Sequence, residues 1–151
     1  MTTDVSIVLP LIVGAGATAF TLLIHAVALL TTIHFLRQQH ARGRVGVAFR
    51  TDLEIAISTM MIALVAHLIA IVLWAFVFVG VGEFQLLGLA FYHSAMNYTT
   101  LGFGDVVMSP AWKVLGPIEA IAGLLMFGVS TATIFAVILR LAQARFADLR
   151  E

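Results

Sequence analysis

The residues with the most distinctive chemistry in this chain sit together in Tyr98-Thr99-Thr100-Leu101-Gly102-Phe103-Gly104-Asp105, a short polar and glycine-rich break between two long apolar runs. Gly102 and Gly104 occupy alternate positions, and glycine alone adopts φ above zero without steric cost. Alternating the two hands of backbone conformation turns successive carbonyls toward the same side. Such a row, with the Thr100 hydroxyl at its end, offers a dehydrated monovalent cation the oxygens it needs in place of water. The plainer reading of the same residues is an ordinary turn between a half-helix and a helix.

The stretch resembles the selectivity filter of potassium channels, T-x-G-[YF]-G-[DN], which reads here as T-L-G-F-G-D. The likeness extends to both flanks. A short apolar segment, Leu86 to Tyr98, precedes the filter as a pore helix does, and a long apolar run carrying Gly123 and Gly128 follows it as an inner helix does. The resemblance covers about residues 53 to 145 and implies a pore domain over that range, with an outer helix at 53–81, a pore helix at 86–98, the filter at 99–105 and an inner helix at 113–141. It further implies K⁺ ions held by the carbonyls of Thr100, Leu101, Gly102 and Phe103 and by the Thr100 hydroxyl, with Gly104 completing the filter. Thr99 and Asp105 take the support and mouth positions, and no cofactor other than K⁺ is expected. The chain has one filter segment and no internal repeat, so a closed cage of carbonyls implies a homotetramer.

Departures from the family pattern bear on selectivity. Leu101 stands where Val is commonest, and Phe103 where Tyr is commonest, which removes a hydroxyl able to brace the filter from behind. Met96 and Asn97 occupy the end of the pore helix, where some relatives carry a bracing carboxylate, while Tyr92 and His93 stand where aromatics are frequent. The implied filter is less rigidly held, and a weakly selective monovalent cation channel is the alternative that follows.

The elements that must position this stretch belong to a membrane protein. Of the 151 residues, 62% are hydrophobic and 11% charged, and the mean hydropathy is +1.09; soluble domains carry roughly 25% charged residues. Net charge is zero, which points to no nucleic-acid partner, and the absence of cysteine excludes disulfides and thiolate metal sites. A helix needs about 20 apolar residues to cross a hydrocarbon core of ~30 Å. Val5 to Leu36, Leu53 to Val81 and Leu115 to Leu141 meet that length, giving an all-α membrane protein with three spanning helices. Leu86 to Tyr98 is too short to cross and fits a re-entrant helix. Met1-Thr-Thr-Asp4 lacks the positive region of a secretory signal, so residues 1–36 read as a retained, additional N-terminal transmembrane helix with a small-residue patch from Gly14 to Ala19. It carries no arginine ladder of the kind that senses voltage.

Seven of the eight basic residues lie in the 37–50 region or after Leu139. Positive-inside counting makes 37–52 an Arg-rich cytoplasmic loop and 142–151 a short cytoplasmic tail, with the N-terminus and the filter mouth outside. The expected location is the plasma membrane, the inner membrane in a bacterium. Arg37, Arg42, Arg44 and Arg50 would attract anionic lipid. Thr131, Phe135 and Leu139 recur at i, i+4 and i+8 on the last helix, a stripe suited to line a cavity and form an apolar gate, or simply to pack on the second helix. Gly123 and Gly128 are hinge candidates, although close helix packing explains glycine equally well. His67 is an intramembrane histidine, read as a proton sensor or as a neutral group bonded to a neighbouring helix. Glu119 reads as filter support or as an interfacial group. His25 with His67 as axial haem ligands of a small redox protein, and a non-conducting accessory subunit, are the remote alternatives. The chain is not expected to be an enzyme.

Overall fold

The computed structural model describes residues 7–146. Four helices follow one another along the chain: α1, Val8–Ala41; α2, Phe49–Gly80; α3, Leu87–Tyr98; and α4, Leu115–Arg145. The described residues contain no strand, and α1, α2 and α4 are each long and apolar enough to cross a membrane. At 1.5 Å per residue, helices of 34, 32 and 31 residues reach roughly 45–50 Å, well beyond the ~30 Å hydrocarbon core. Their ends therefore project into the headgroup region. The extra turns explain why the helices overrun the apolar stretches: α1 continues through Arg37 to Ala41, and Arg50 lies inside the first turn of α2. Arg, Gln and His beyond Leu36 cost a helix little once they leave the hydrocarbon. The irregular connection is accordingly residues 42–48.

Contacts divide the chain into two units, each drawing on all three long helices: residues 1–24 with 67–126, and residues 25–66 with 127–151. The first unit surrounds Trp74, Phe78, Ala90, Tyr98, Leu115 and Ala122, all essentially inaccessible. The small-residue patch of α1 packs here on its own chain. A Cβ at Gly14 would press on the Ile118 side chain, Ala17 is buried, and Trp74 Nε1 donates to Thr21 Oγ1 at 3.0 Å. That bond satisfies an indole N–H which would otherwise be stranded among apolar groups.

The second unit is built on Ile55, Val137 and Leu141, with Phe35, Leu36, Val45 and Ala56 against them. Asp52 ties its loop down. One carboxylate oxygen accepts from the Gly46 amide at 2.9 Å, and the other lies 3.3 Å from Arg145 Nε at the end of α4. Gly46 adopts φ +78, and a Cβ there would collide with the Ala144 backbone, so both conformation and space require glycine. The tail residues Asp148, Arg150 and Glu151, and the N-terminal residues 1–6, lie outside the described residues.

Candidate functional site

Helix α3 supplies the platform. It is 12 residues long and buries Ala90, His93, Ser94 and Tyr98. Its last turn closes on Thr99, whose N–H and hydroxyl both reach the Ala95 carbonyl, at 3.1 Å and 2.6 Å. The Thr100 amide then bonds the Asn97 carbonyl at 2.9 Å and the Gly102 amide the Met96 carbonyl at 3.3 Å, which folds the next residues back over the helix end. Beyond them the chain leaves regular structure over 101–104.

In that segment φ is positive at every second residue: +60 at Thr100, +55 at Gly102 and +74 at Gly104. Leu101 and Phe103 between them are not among the positive-φ residues, so the hand of the backbone alternates along the segment. Thr100 is the sole non-glycine residue with positive φ among the described residues, and a β-branched residue resists that conformation. The strain falls at the position whose hydroxyl ends the row. Nothing lies within 4 Å of a Cβ built at Gly102 or Gly104, so glycine is required there for conformation and not for space. Leu101 and Phe103 are exposed, Phe103 at 72%.

Support comes from behind and above this segment. Tyr92 donates its hydroxyl to Asp105 Oδ2 at 2.9 Å, and that bond to a carboxylate raises the Tyr92 pKa. His93 Nδ1 lies 3.0 Å from the Val106 carbonyl and Nε2 lies 2.9 Å from Asn97 Nδ2. A carbonyl only accepts, so Nδ1 carries the proton and Nε2 receives one from the Asn97 amide. The ring also packs edge-on against Phe78 and tilted against Phe84. Burial lowers the His93 pKa, opposed by the Val106 hydrogen bond and by the charges of Glu83 and Asp105. Glu83, in the turn after α2, accepts from the Ser109 amide at 2.7 Å and its hydroxyl at 2.6 Å, anchoring the connector that follows the glycine segment. Between these groups and the start of α4 lies a cleft of about 390 Å³, bordered by Tyr92, His93, Asn97, Gly102 and Asp105.

Three further contacts hold the far end of α3. Ser94 Oγ sits 2.8 Å from the Ile71 carbonyl of α2 and 2.5 Å from Glu119 Oε1 of α4. Glu119 is completely buried, and its second oxygen has no partner within hydrogen-bonding geometry among the described residues. His67 Nδ1 and the Tyr98 hydroxyl share a hydrogen bond of 3.0 Å. A Cβ at Gly123 would run into the Tyr98 carbonyl, so this glycine admits the close approach of α4 to the end of α3.

The expected residues therefore fall into groups. Thr99 to Asp105 form one continuous segment, His67 joins it through Tyr98, and Gly123 sits beneath it. Gly128 is exposed: α4 is helical across it, and a Cβ there would meet open space. Thr131, Phe135 and Leu139 are exposed along one face of α4, so within this chain the stripe is not the surface that packs on α2. Val137 and Leu141 fill that inward role. Glu119 reaches Ser94 and not the interface. Sequence reading missed Ser94 and the Tyr98 hydroxyl as structural groups and gave Glu83 no task. The available signal was a serine and a tyrosine inside an apolar twelve-residue helix, both of which require buried partners.

A family model described as ion channel matches residues 61–140, which is more than half of the 151 residues. The match runs from the middle of α2 through α3 and the glycine segment to Arg140 of α4. No curated protein and no solved structure matches the chain. With three helices long and apolar enough to span a bilayer and a family match over more than half its length, the chain is a membrane protein that belongs to the ion channel family.

Proposed function

We propose that the protein forms a homotetrameric channel for passive, potassium-selective conduction. The observation that carries this reading is the positive φ at 100, 102 and 104. In it, the carbonyls of Thr100, Leu101, Gly102 and Phe103 and the Thr100 hydroxyl replace the hydration shell of K⁺, and Gly104 closes the row. A single chain offers an ion oxygens from one side only, so four chains around a common axis complete each site. Helix α3 is then re-entrant, with its partial negative end toward the ion path, and Asp105 contributes a ring of four carboxylates that concentrates cations at the mouth.

The same assembly assigns the remaining groups. The exposed face of Thr131, Phe135 and Leu139 lines the pore, with Thr131 at the cavity and Phe135 or Leu139 forming an apolar constriction that gates by dewetting. Gly128, which no neighbour requires to be glycine, is the better hinge position of the two. The hydrogen bond to Tyr98 makes His67 a strut for the end of α3 and leaves its proton-sensing role secondary. The arginine-bearing helix ends face the cytoplasm of a plasma membrane and attract anionic lipid.

The test is the reversal potential of purified protein in a planar bilayer with K⁺ on one side and Na⁺ on the other. A value near the K⁺ equilibrium potential, with current abolished by Gly102→Ala, is the expected result. Substitution by alanine forces a Cβ onto a residue at positive φ. A current with a reversal potential near zero would favour the weakly selective alternative, for which the Phe103 ring, lacking a bracing hydroxyl, is the reason. Absence of current from an intact tetramer across pH and voltage would favour an accessory subunit.

A further inference from the structure

The basic residues at the arginine-bearing ends of the helices are not equivalent. Arg44 bonds Gln39 at 3.1 Å and Glu54 at 3.0 Å, Arg50 lies 3.6 Å from Glu54, and Arg145 pairs with Asp52 and covers the Phe49 ring. Arg37 of α1 and Arg140 of α4 have no carboxylate within ion-pair distance among the described residues. Together with His40 they border a cleft of about 360 Å³ whose other walls include Ile33, Leu36 and Val45. Permanent positive charge at the rim and apolar walls below describe the two halves of a phospholipid.

Their level along the helices agrees. From Ile7 to Leu36 α1 carries no Asp, Glu, Lys or Arg, and from Ala120 to Leu139 neither does α4, so Arg37 and Arg140 are the first such charges at the end of each apolar run. Two helices that place their first guanidinium where the hydrocarbon ends bring both to headgroup depth. Guanidinium forks bind phosphate through paired N–H groups. They also offset the partial negative charge of a helix C-terminus, which by itself would repel an anion.

We infer that the cleft between α1 and α4 is a binding site for one anionic phospholipid, its phosphate held by Arg37 and Arg140 with His40 beside them and its upper acyl chain against Ile33, Leu36 and Val45. Of the four arginines expected to attract lipid, Arg37 is then the one that forms a site, and Arg140 is the partner that sequence alone did not supply. The inference needs only that the long helices span a bilayer. It is independent of which ion the channel passes.

Native mass spectrometry of the full-length protein with phosphatidylglycerol or phosphatidylcholine tests it. Wild type is expected to retain phosphatidylglycerol preferentially. Arg37→Gln with Arg140→Gln weakens that retention by about 30-fold, as the loss of two basic contacts at a membrane surface requires. The control pair Arg42→Gln with Arg50→Gln, neither of which borders the cleft, weakens it several-fold less, by the loss of diffuse attraction alone. Equal losses in the two pairs would overturn the site in favour of diffuse attraction. Equal retention of the two lipids by wild type would overturn it outright, and this arm needs no variant to fold. Displacement of phosphatidylglycerol by excess inorganic phosphate would reassign the cleft to a free anion.

Discussion

At the scale of single residues, His93 shows how a titratable group beside the glycine segment is held neutral. Its Nδ1–H donates to the Val106 carbonyl and its Nε2 accepts from Asn97, so both ring nitrogens are satisfied in one tautomer. A second proton would place N–H against the Asn97 amide. Burial adds to this and lowers the pKa below the usual histidine value, with Glu83 and Asp105 opposing. The sign of the pH effect follows. The unfolded chain takes up the proton near pH ~6.5, while the folded chain takes it up only at lower pH. Stability is therefore fully present above that value and declines as pH falls toward the lowered folded pKa. The decline cannot exceed ~1.4 kcal/mol per pH unit per chain. Thermal melting of the purified protein from about pH 7.5 to 5 should show a loss that His93→Gln removes. A glutamine keeps a donor and an acceptor but does not titrate. A slope unchanged by the substitution would place the pH sensitivity elsewhere. Tyr92 and His93 are readable in the sequence as aromatics beside a filter; that one braces Asp105 and the other the Val106 carbonyl depends on the backbone turning back after Gly104, which no local pattern encodes.

Between elements, the critical joint is where α3 meets α2 and α4. Ser94 has one proton and two oxygens within reach, the Ile71 carbonyl at 2.8 Å and Glu119 Oε1 at 2.5 Å. A side chain at 119 that both donates and accepts lets Ser94 satisfy Ile71 while remaining bonded to α4. Glu119→Gln keeps that capacity in the same plane and volume, and it should leave folding and conduction close to wild type. Glu119→Ala removes a buried partner and opens a void between α3 and α4, costing about 1–3 kcal/mol for the lost polar contact alone. The melting temperature should fall and the filter should lose conductance over time as its platform loosens. Equal behaviour of the two variants would show that Glu119 acts only by filling space. The helices themselves were legible, because three charge-poor runs of this length have one solution in a bilayer. Their limits were not, since apolar runs mark the hydrocarbon and the helices continue beyond it. Gly123 was legible as a glycine but not as a contact: only the Tyr98 carbonyl, standing where a Cβ would have to go, distinguishes close packing from a hinge.

For the molecule as a whole, the decisive fact is how much of a single chain is left without a partner. Leu101 and Phe103 of the glycine segment and Phe135 and Leu139 of α4 are all exposed, although Val137 and Leu141 on the same helix α4 are buried. Lipid accepts apolar side chains, so exposure alone would not demand a partner. In the proposed channel the carbonyls of residues 100–103 do, because in hydrocarbon nothing else would pair with them. The proposed fourfold assembly answers that demand, and it makes a prediction about Phe135 that separates two roles. Light scattering in detergent should give a protein mass of four times 16.3 kDa, about 65 kDa. Phe135→Ala should leave that mass unchanged while raising open probability, because an apolar constriction excludes water through its bulk and an alanine there admits it. A fall in mass with the same substitution would make Phe135 an assembly contact, and the constriction would then have to be sought at Leu139. Unchanged mass with unchanged gating would remove this face of α4 from the gate altogether and leave the filter, with its hydroxyl-free Phe103, as the place where conduction is switched.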